Sequence, residues 1–329
     1  MPDIKKIVFT FISIVLAPLL FFVLLELGLR VFGVGTSFDY FHNIDIDGQP
    51  FYQENPDFAD QFYPPSLGIG PRENTFAAER SPDLIRVYVL GGSAALGFPH
   101  RNHGVDRLLA TQLRAALPSR KIEVINTAMT SVNSHVVYEV ARSIPDNSAD
   151  FAVILLGNNE VVGPYGPGTF NQNFLSNLSL IRGIQGLKRT RIWQALDSLI
   201  LKFRPTDAQQ DLEWEGMQMF TSHGVSRDDP RLQSVYGHYE SNLVDTIETL
   251  RDKGIHVLLS SVPVNLRHSA PFLSVHSPDL SKEQFDQWRE LTGNGAKSLD
   301  MESWGDAVTH FQAALEIDPD YADTHFRLA

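Results

Sequence analysis

The sequence predicts an α/β protein with a parallel sheet, preceded by a membrane-spanning helix and followed by a helical repeat. Three observations lead to this prediction. An apolar run near the N-terminus is long enough to cross a bilayer. Short apolar runs then alternate with segments of helical periodicity, and the 329-residue chain ends with small residues spaced as in a helical repeat. Alternating strands and helices build a parallel sheet with helices on both faces.

The apolar run covers residues 7–29 and contains one charged residue, Glu26. At about 1.5 Å rise per residue, a helix of this length crosses a hydrocarbon core of roughly 30 Å. No small-x-small cleavage site follows, which favours an uncleaved anchor over a cleaved signal peptide. Lys5 and Lys6 precede the run, so the positive-inside rule places residues 1–6 in the cytoplasm. The bulk of the chain is then extracytoplasmic, on the periplasmic side in a Gram-negative cell.

Residues 30–83 are rich in aromatic residues, proline, aspartate and asparagine and have no sustained period, so we predict an irregular connector. An α/β domain is predicted for residues 84–268, because apolar runs and helical patterns alternate there. The predicted strands are residues 85–90, 121–126, 151–156 and 256–262. The predicted helices are residues 104–117, 134–144 and 236–253.

A long insert, about residues 163–235, separates the third and fourth predicted strands. Its apolar residues recur at helical spacing and are interrupted by Lys188, Arg189 and Arg191. Helices that pack over the sheet are the favoured interpretation. A lid, or a helix that lies on the membrane surface, is the alternative.

The last part of the chain, residues 282–329, is predicted to be a tetratricopeptide-like repeat region. Ala307, Phe311, Ala314 and the following Pro319 match the second helix of such a repeat. Gly295 falls where the first helix needs a small residue. The chain stops at Ala329 inside the next repeat, so we expect the natural protein to continue. An ordinary helical hairpin is the alternative.

Composition excludes several functional classes. Lys and Arg total 27 against 39 Asp and Glu, a formal net charge of -12, which argues against nucleic-acid binding. Without cysteine, disulfides, thiolate metal sites and cysteine nucleophiles are excluded. No histidine–carboxylate cluster has metal-ligand spacing, and the glycine-rich segment after the first domain strand lacks the features of nucleotide loops. We therefore predict neither metal nor cofactor.

Small or polar residues follow each of the first three strands of the α/β domain. They are Gly91, Gly92 and Ser93 after the first strand, Asn126 and Ala128 after the second, and Gly157, Asn159 and Glu160 after the third. The carboxyl ends of parallel strands converge on one crevice. A serine on a tight glycine turn exposes its hydroxyl, and nearby N–H and carboxamide donors can form an oxyanion hole.

These three groups of residues resemble blocks one, two and three of the SGNH (GDSL-like) hydrolases. The resemblance covers residues 85–265 and is sharpest in the variant with a preceding membrane anchor and tetratricopeptide repeats. It implies a flavodoxin-like three-layer sandwich that cleaves or transfers acyl esters. It further implies that Ser93 is the nucleophile and that the N–H groups of Ser93 and Ala128 and the side chain of Asn159 hold the oxyanion. Gly92 stands where the family usually has aspartate, and Ala128 where it usually has glycine.

The family also uses a histidine three residues after an aspartate, beyond the last strand, as the general base. In this chain only His42 has an aspartate at that spacing, Asp39, and the pair precedes the first domain strand. His268 follows the fourth strand but lacks the aspartate. The base is therefore not found, and we expect it beyond Ala329.

The sequence thus predicts a membrane-anchored extracytoplasmic hydrolase of acyl esters, whose substrate is an ester, an acylated glycan or a lipid. Two alternatives stay open. The same site would serve an O-acyltransferase acting on a glycan. Without a base, the chain would instead be a non-catalytic scaffold whose repeats bind a protein partner.

Overall fold

The computed structural model describes residues 9–10, 12–71, 74–169, 174–203, 216–220, 223–265 and 267–329. The N-terminal residues expected in the cytoplasm, 1–6, lie outside the described residues. So do parts of the predicted anchor, 7–29, and of the predicted insert, 163–235.

The N-terminal apolar helix is present. After a π-helical turn, Ile12–Leu16, helix α1 extends over Ala17–Val31. Among the described residues, Ser13–Val31 is the one helical segment with the length and composition of a signal anchor or a membrane span; its mean hydropathy is 2.3, and none of it is buried.

The connector, which was predicted to be irregular because it has no sustained period, contains a small antiparallel sheet. Strands β1 (Phe41–Ile46) and β2 (Gln49–Glu54) pair as a hairpin, and β3 (Thr75–Ala77) pairs with β2. The hairpin turn is Asp47-Gly48, with φ of 53° and 79°. Two positive φ values are typical of the type I′ turn that Asp-Gly favours. The Asp-Gly dipeptide was the one feature of the sequence that could have predicted the hairpin, because these strands are too short to show a clear alternation of apolar and polar residues.

The α/β domain has a four-stranded parallel sheet, as predicted. Its strands are β4 (Leu84–Gly91), β5 (Lys121–Asn126), β6 (Phe151–Leu155) and β7 (His256–Leu259), in the spatial order β5-β4-β6-β7. The fourth strand is shorter than the predicted residues 256–262. The register pairs Val89 with Asn126 and Gly91 with Leu155, so the carboxyl ends of the three strands finish side by side.

Successive residues of the central strand enter two different cores. Tyr88 and Leu90 belong to a large core with helix α4, whereas Val89 belongs to a smaller core with Ala95 and Leu155. This alternation follows from the two-residue period of a strand. Both faces of the sheet are therefore covered by apolar side chains from the surrounding segments.

Nine α-helices of four or more residues follow β4 in the part of the chain that the structure describes. They are α2 (Ser93–Leu96), α3 (Val105–Ala116), α4 (Ser134–Ser143), α5 (Leu178–Lys188), α6 (Arg191–Phe203), α7 (Arg231–Asp252), α8 (Lys282–Asp300), α9 (Trp304–Ile317) and α10 (Ala322–Leu328), where the last three form the final region. The helix expected at residues 236–253 already begins at Arg231. Helices α4 and α7 pack against each other, and α3 packs against β5.

The final region is helical, as expected. Helix α8 begins with a capping box, in which Ser281 and Gln284 bond each other's backbone N–H. Ala307, Phe311 and Ala314 of α9 are buried. A Cβ atom on Gly295 would lie 2.7 Å from Cε1 of Phe311, so the small residue lets the two helices approach closely.

Substitution of Gly295 by leucine should destabilise this helix pair by about 1–3 kcal/mol, because the new side chain overlaps the buried Phe311 ring. Gly293→Leu is the matched control. It lies two residues away with nothing within 4 Å of its Cβ position, and should gain up to about 1 kcal/mol of helix propensity. Hydrogen exchange of α8 and α9 in the full chain measures both changes. Equal protection in the two variants would contradict the packing argument.

Candidate active site

Ser93 lies at the turn between the central strand and the next helix. Strand β4 ends at Gly91, and α2 begins at Ser93, so only Gly92 separates them. A Cβ on Gly91 would lie 2.1 Å from the backbone oxygen of Leu155 and 2.7 Å from Cβ of Ala95. Glycine is required there because strand β6 and helix α2 both approach the backbone. As the first residue of α2, Ser93 has an N–H without an intrahelical acceptor.

Asn159 lies beside this turn. Its Nδ2 donates to the backbone oxygen of Val132 at 3.0 Å, and its side chain is buried. A Cβ on Gly92 would lie 3.0 Å from the same Nδ2, so the backbone before Ser93 is close to the carboxamide. The amide has a second N–H, which has no partner among the described residues. It is available to a ligand.

Ser93 and Asn159 line one small pocket of about 30 Å³. The other lining residues are Phe98, Thr130, Ser131, Gly216 and Phe220. Gly216 and Phe220 belong to a short 3-10 helix, Gly216–Phe220, of the insert. The structure therefore brings together two of the three residues expected in the oxyanion hole. The contribution of the insert to the pocket was not predicted, because the insert has no motif that points to the strand ends.

Ala128 has a different environment from the one that the resemblance implies. Its N–H donates to Oδ1 of Asn126 at 3.0 Å, and it lines an adjoining pocket rather than the small one. Asn126 in turn donates to Asp106 at 2.8 Å and to the backbone oxygen of Ala95 at 3.1 Å. Asn126 therefore fixes the loop after β5 to the helices next to Ser93. This local turn is a common property of asparagine side chains, which compete for backbone groups two residues on.

Glu160 belongs to a buried polar network behind Asn159. Its carboxylate accepts the N–H of Ser134 at 3.0 Å and the hydroxyl of Ser134 at 2.7 Å. Asn242 lies 3.1 Å from both that hydroxyl and Nδ1 of His135. Burial raises the pKa of Glu160 to about 7, although the two hydrogen bonds from Ser134 act in the opposite direction. Glu160 thus fixes the loop that carries Asn159 to the start of α4.

Gly157 gives the third loop its sharp change of direction. Its φ is 136°, a value that residues with a side chain rarely adopt. A Cβ there would lie 3.4 Å from Val262 and 3.5 Å from the Tyr239 hydroxyl. That hydroxyl donates to the backbone oxygen of Leu156 at 3.0 Å. The end of β6 is therefore held by α7 just before Asn159.

A larger pocket of about 510 Å³ adjoins the small one and shares Phe98 and Thr130 with it. Its wall includes Asp57 and Asp60, from the 3-10 helix Pro56–Gln61 of the connector. Burial, and then the negative charge of Asp57, raises the pKa of Asp60 to about 6. No motif in the connector predicts that it contributes to the site.

Two tyrosines attach the connector to the strand-end loops. The Tyr63 hydroxyl donates to the backbone oxygen of Ser131 at 2.5 Å, and the Tyr40 hydroxyl donates to that of Thr127 at 3.1 Å. Both side chains are buried. The connector is therefore part of the wall around the loops that surround Ser93.

Neither histidine considered from the sequence lines the described wall of the Ser93 pocket. His42 lies in β1, and His268 is exposed after β7. That described wall contains no histidine or carboxylate at all. His135 is buried against Asn242, and burial lowers its pKa to about 3, so it is neutral.

One histidine–carboxylate pair was missed by the sequence analysis. His276 Nδ1 lies 2.6 Å from Oδ2 of Asp318, and the Ser277 hydroxyl donates to Oδ1 of that aspartate at 2.7 Å. The 42 residues that separate the pair conceal it from any local motif. His276 lines a pocket of about 550 Å³ that shares no described lining residue with the Ser93 pocket. The serine bonds the aspartate and not the histidine, so these three residues do not form a catalytic triad.

Among the described residues, no group of three or more His, Cys, Asp or Glu side chains is arranged to hold a metal ion. No protein-family model matches the chain, and no curated protein matches it.

The buried carboxyl of Glu160 should make stability depend on pH. Its pKa is about 7 in the folded state against 4.5 for an ordinary glutamate, so the folded state holds this proton more tightly. The free energy of unfolding should therefore fall, relative to that of Glu160→Gln, as pH rises from about 4.5 to 7, by on the order of 3 kcal/mol. Thermal unfolding of the full chain in detergent at several pH values measures this difference.

Glu240→Gln, the same substitution at an exposed position of α7, is the matched control. Parallel stability curves for the wild type and Glu160→Gln across this interval would contradict the prediction.

Proposed function

We propose that the protein is a membrane-anchored, SGNH-like hydrolase of acyl esters, in which Ser93 attacks the acyl carbon. The observation that carries this proposal is the small pocket shared by Ser93 and Asn159 at the carboxyl ends of β4 and β6. A hydroxyl at a tight strand–helix turn, beside an amide with an unused N–H, is the arrangement that acyl transfer through a serine requires.

In the proposed reaction, Ser93 Oγ forms a bond to the acyl carbon, and the carbonyl oxygen becomes an oxyanion. The Oγ proton passes to a general base, which is not among the described residues of the pocket wall, and from it to the departing alkoxide oxygen. The N–H of Ser93 and the second N–H of Asn159 are the donors that the oxyanion would meet. The N–H of Ala128 already donates to Asn126, so it joins them only if that turn opens. Collapse of the tetrahedral intermediate releases the alcohol, and water then hydrolyses the acyl-serine.

The strand order supports an SGNH-like fold. Numbered within the parallel sheet, β5-β4-β6-β7 is the order 2-1-3-4, which the flavodoxin-like arrangement shares.

The close contact of Gly295 with Phe311 supports a tetratricopeptide-like final region, for which we propose a role in binding a protein partner. We assign α1 the role of a single membrane anchor with the N-terminus in the cytoplasm and the site on the extracytoplasmic side.

A second candidate is O-acyl transfer to a glycan. The observation that favours it is the larger pocket, whose wall carries Asp57 and Asp60 next to Phe98 and Thr130 of the Ser93 pocket. Carboxylates accept hydrogen bonds from sugar hydroxyls. Product analysis distinguishes the two reactions: transfer yields an acylated acceptor glycan when one is supplied, whereas hydrolysis yields free acid with or without it.

A third candidate is a non-catalytic scaffold, which is favoured by the lack of histidine and carboxylate side chains in the described wall around Ser93. A serine without a base is a weak nucleophile. A fluorophosphonate probe distinguishes a scaffold from an enzyme, since it labels activated serines only.

If Ser93 is the nucleophile, Ser93→Ala should abolish both fluorophosphonate labelling and cleavage of a chromogenic short-chain ester by the full-length natural protein. Ser131→Gly is the matched control. It removes another hydroxyl from the same pocket, and glycine tolerates the φ of 60° at this position, so labelling should persist. Peptide mapping identifies the labelled residue. Undiminished labelling of Ser93→Ala would refute the assignment, and absence of labelling in the wild type would favour the scaffold.

Asn159→Ala should lower kcat roughly 10²–10³-fold with little change in KM, because the amide is assigned to the oxyanion and not to the bound ester. Thr130→Val, which replaces another polar residue of the pocket by one of similar shape, should affect KM more than kcat. Steady-state kinetics of the two variants tests this separation. Equal kcat for Asn159→Ala and the wild type would remove Asn159 from the oxyanion hole.

A further inference from the structure

Helix α6, Arg191–Phe203, has a strongly apolar face that no described element covers. Five exposed residues form this face, which we term the α6 apolar face: Trp193, Leu196, Leu199, Ile200 and Phe203. At about 100° per residue they fall within an arc of roughly 120°. Asp197 and Ser198 lie outside this arc. In a water-soluble protein, an uncovered apolar surface of this kind marks a site of interaction.

The first turn of α6 is fixed to the apolar helix α1. The carboxylate of Glu26 accepts the backbone N–H of Arg191 at 3.0 Å and that of Ile192 at 3.1 Å. It therefore satisfies two N–H groups that the start of a helix otherwise leaves without partners. Arg30, one turn later on α1, donates to the same carboxylate at 2.9 Å. The one acidic residue of the apolar segment thus has a structural role at its C-terminal end.

A second attachment holds α6 to the chain that leaves α1. The backbone N–H of Thr36 donates to Oε1 of Gln194 at 2.9 Å, and Nε2 of Gln194 donates to the backbone oxygen of Thr36 at 3.2 Å. Gln194 lies on the side of α6 opposite the apolar face. The two attachments together determine which side of α6 points away from the protein.

The position of α6 identifies what covers its apolar face. Its first turn is level with Glu26, five residues before the end of Ser13–Val31, where a membrane-spanning helix would reach the headgroups. Val31 and Phe32, at the same end, are 83% and 85% exposed, so apolar surface continues from the span into the region around α6. A bilayer that surrounds α1 extends outward from this point, and the interface accepts helices with one apolar face.

We propose that α6 lies in the membrane interface, with the α6 apolar face among the acyl chains and Asp197 and Ser198 outside them. The proposal rests on the proposed role of α1 as a membrane anchor. It commits to the lipid bilayer as the partner, because the uncovered surface adjoins the candidate span. A protein partner on the same face is the competing outcome of the test.

The absence of cysteine from the chain allows a site-specific test. The full chain is reconstituted in phosphatidylcholine vesicles with a single cysteine that carries an environment-sensitive fluorophore. The variants are Leu199→Cys and Leu196→Cys on the apolar face, Ser198→Cys as the matched control on a different side of the same turn, and Phe22→Cys within the span. Quenching by lipids with a nitroxide on the acyl chain reports contact with the hydrocarbon, and quenching by iodide reports contact with water.

We expect strong lipid quenching at positions 22, 196 and 199, and at least threefold weaker lipid quenching at position 198. Two leucine positions are tested so that a local packing defect caused by one substitution does not decide the result. Water-accessible or lipid-insensitive labels at both 196 and 199, with strong lipid quenching at 22, would overturn the proposal and leave the anchor intact. Loss of lipid quenching at 22 as well would overturn the anchor itself.

Discussion

The close approach of two backbones at the end of the central strand is the constraint on which the site depends. Gly91 has no room for a side chain because Leu155 of the neighbouring strand lies against it, and Gly92 has little room because of Asn159. A larger residue at either position would move the turn away from β6. Ser93 would then no longer share a pocket with Asn159. The two glycines therefore determine the distance between the proposed nucleophile and its proposed oxyanion donor.

Buried polar groups hold the second and third loops at the carboxyl ends of the strands. Asn126 bonds the second loop to α2 and α3, Tyr63 bonds the connector to Ser131 of that same loop, and Glu160 bonds the third loop to Ser134. Buried polar groups are costly unless they are paired, so each pairing favours a single loop conformation. A rigid set of loops is what a preorganised oxyanion site needs.

The sequence predicted the parts of the fold that depend on long apolar patterns. The parallel strands and their helices follow from runs such as residues 85–90 and 151–156, and the convergence of strand ends predicts that Ser93 and Asn159 lie close together. What escaped prediction depends on contacts distant in sequence or on local side-chain bonds. The Asn126 turn that engages Ala128 is too local to form a pattern, and His276 meets Asp318 only after the chain folds. The family resemblance itself stays a prediction.

The candidate membrane helices and the candidate site are connected through one short segment. Arg191 begins the helix capped by Glu26, and two residues earlier Arg189 donates to Glu139 of α4 at 2.5 Å. Helix α4 begins at Ser134, which is the partner of Glu160, the neighbour of the proposed oxyanion donor Asn159. Each contact in this series involves a carboxyl or guanidinium group and is buried or partly buried, so the domain is held to helix α1 more rigidly than by a flexible linker. Attached in this way, the proposed hydrolase would keep its site at one height above the bilayer, which suits ester substrates that are themselves held at the membrane surface.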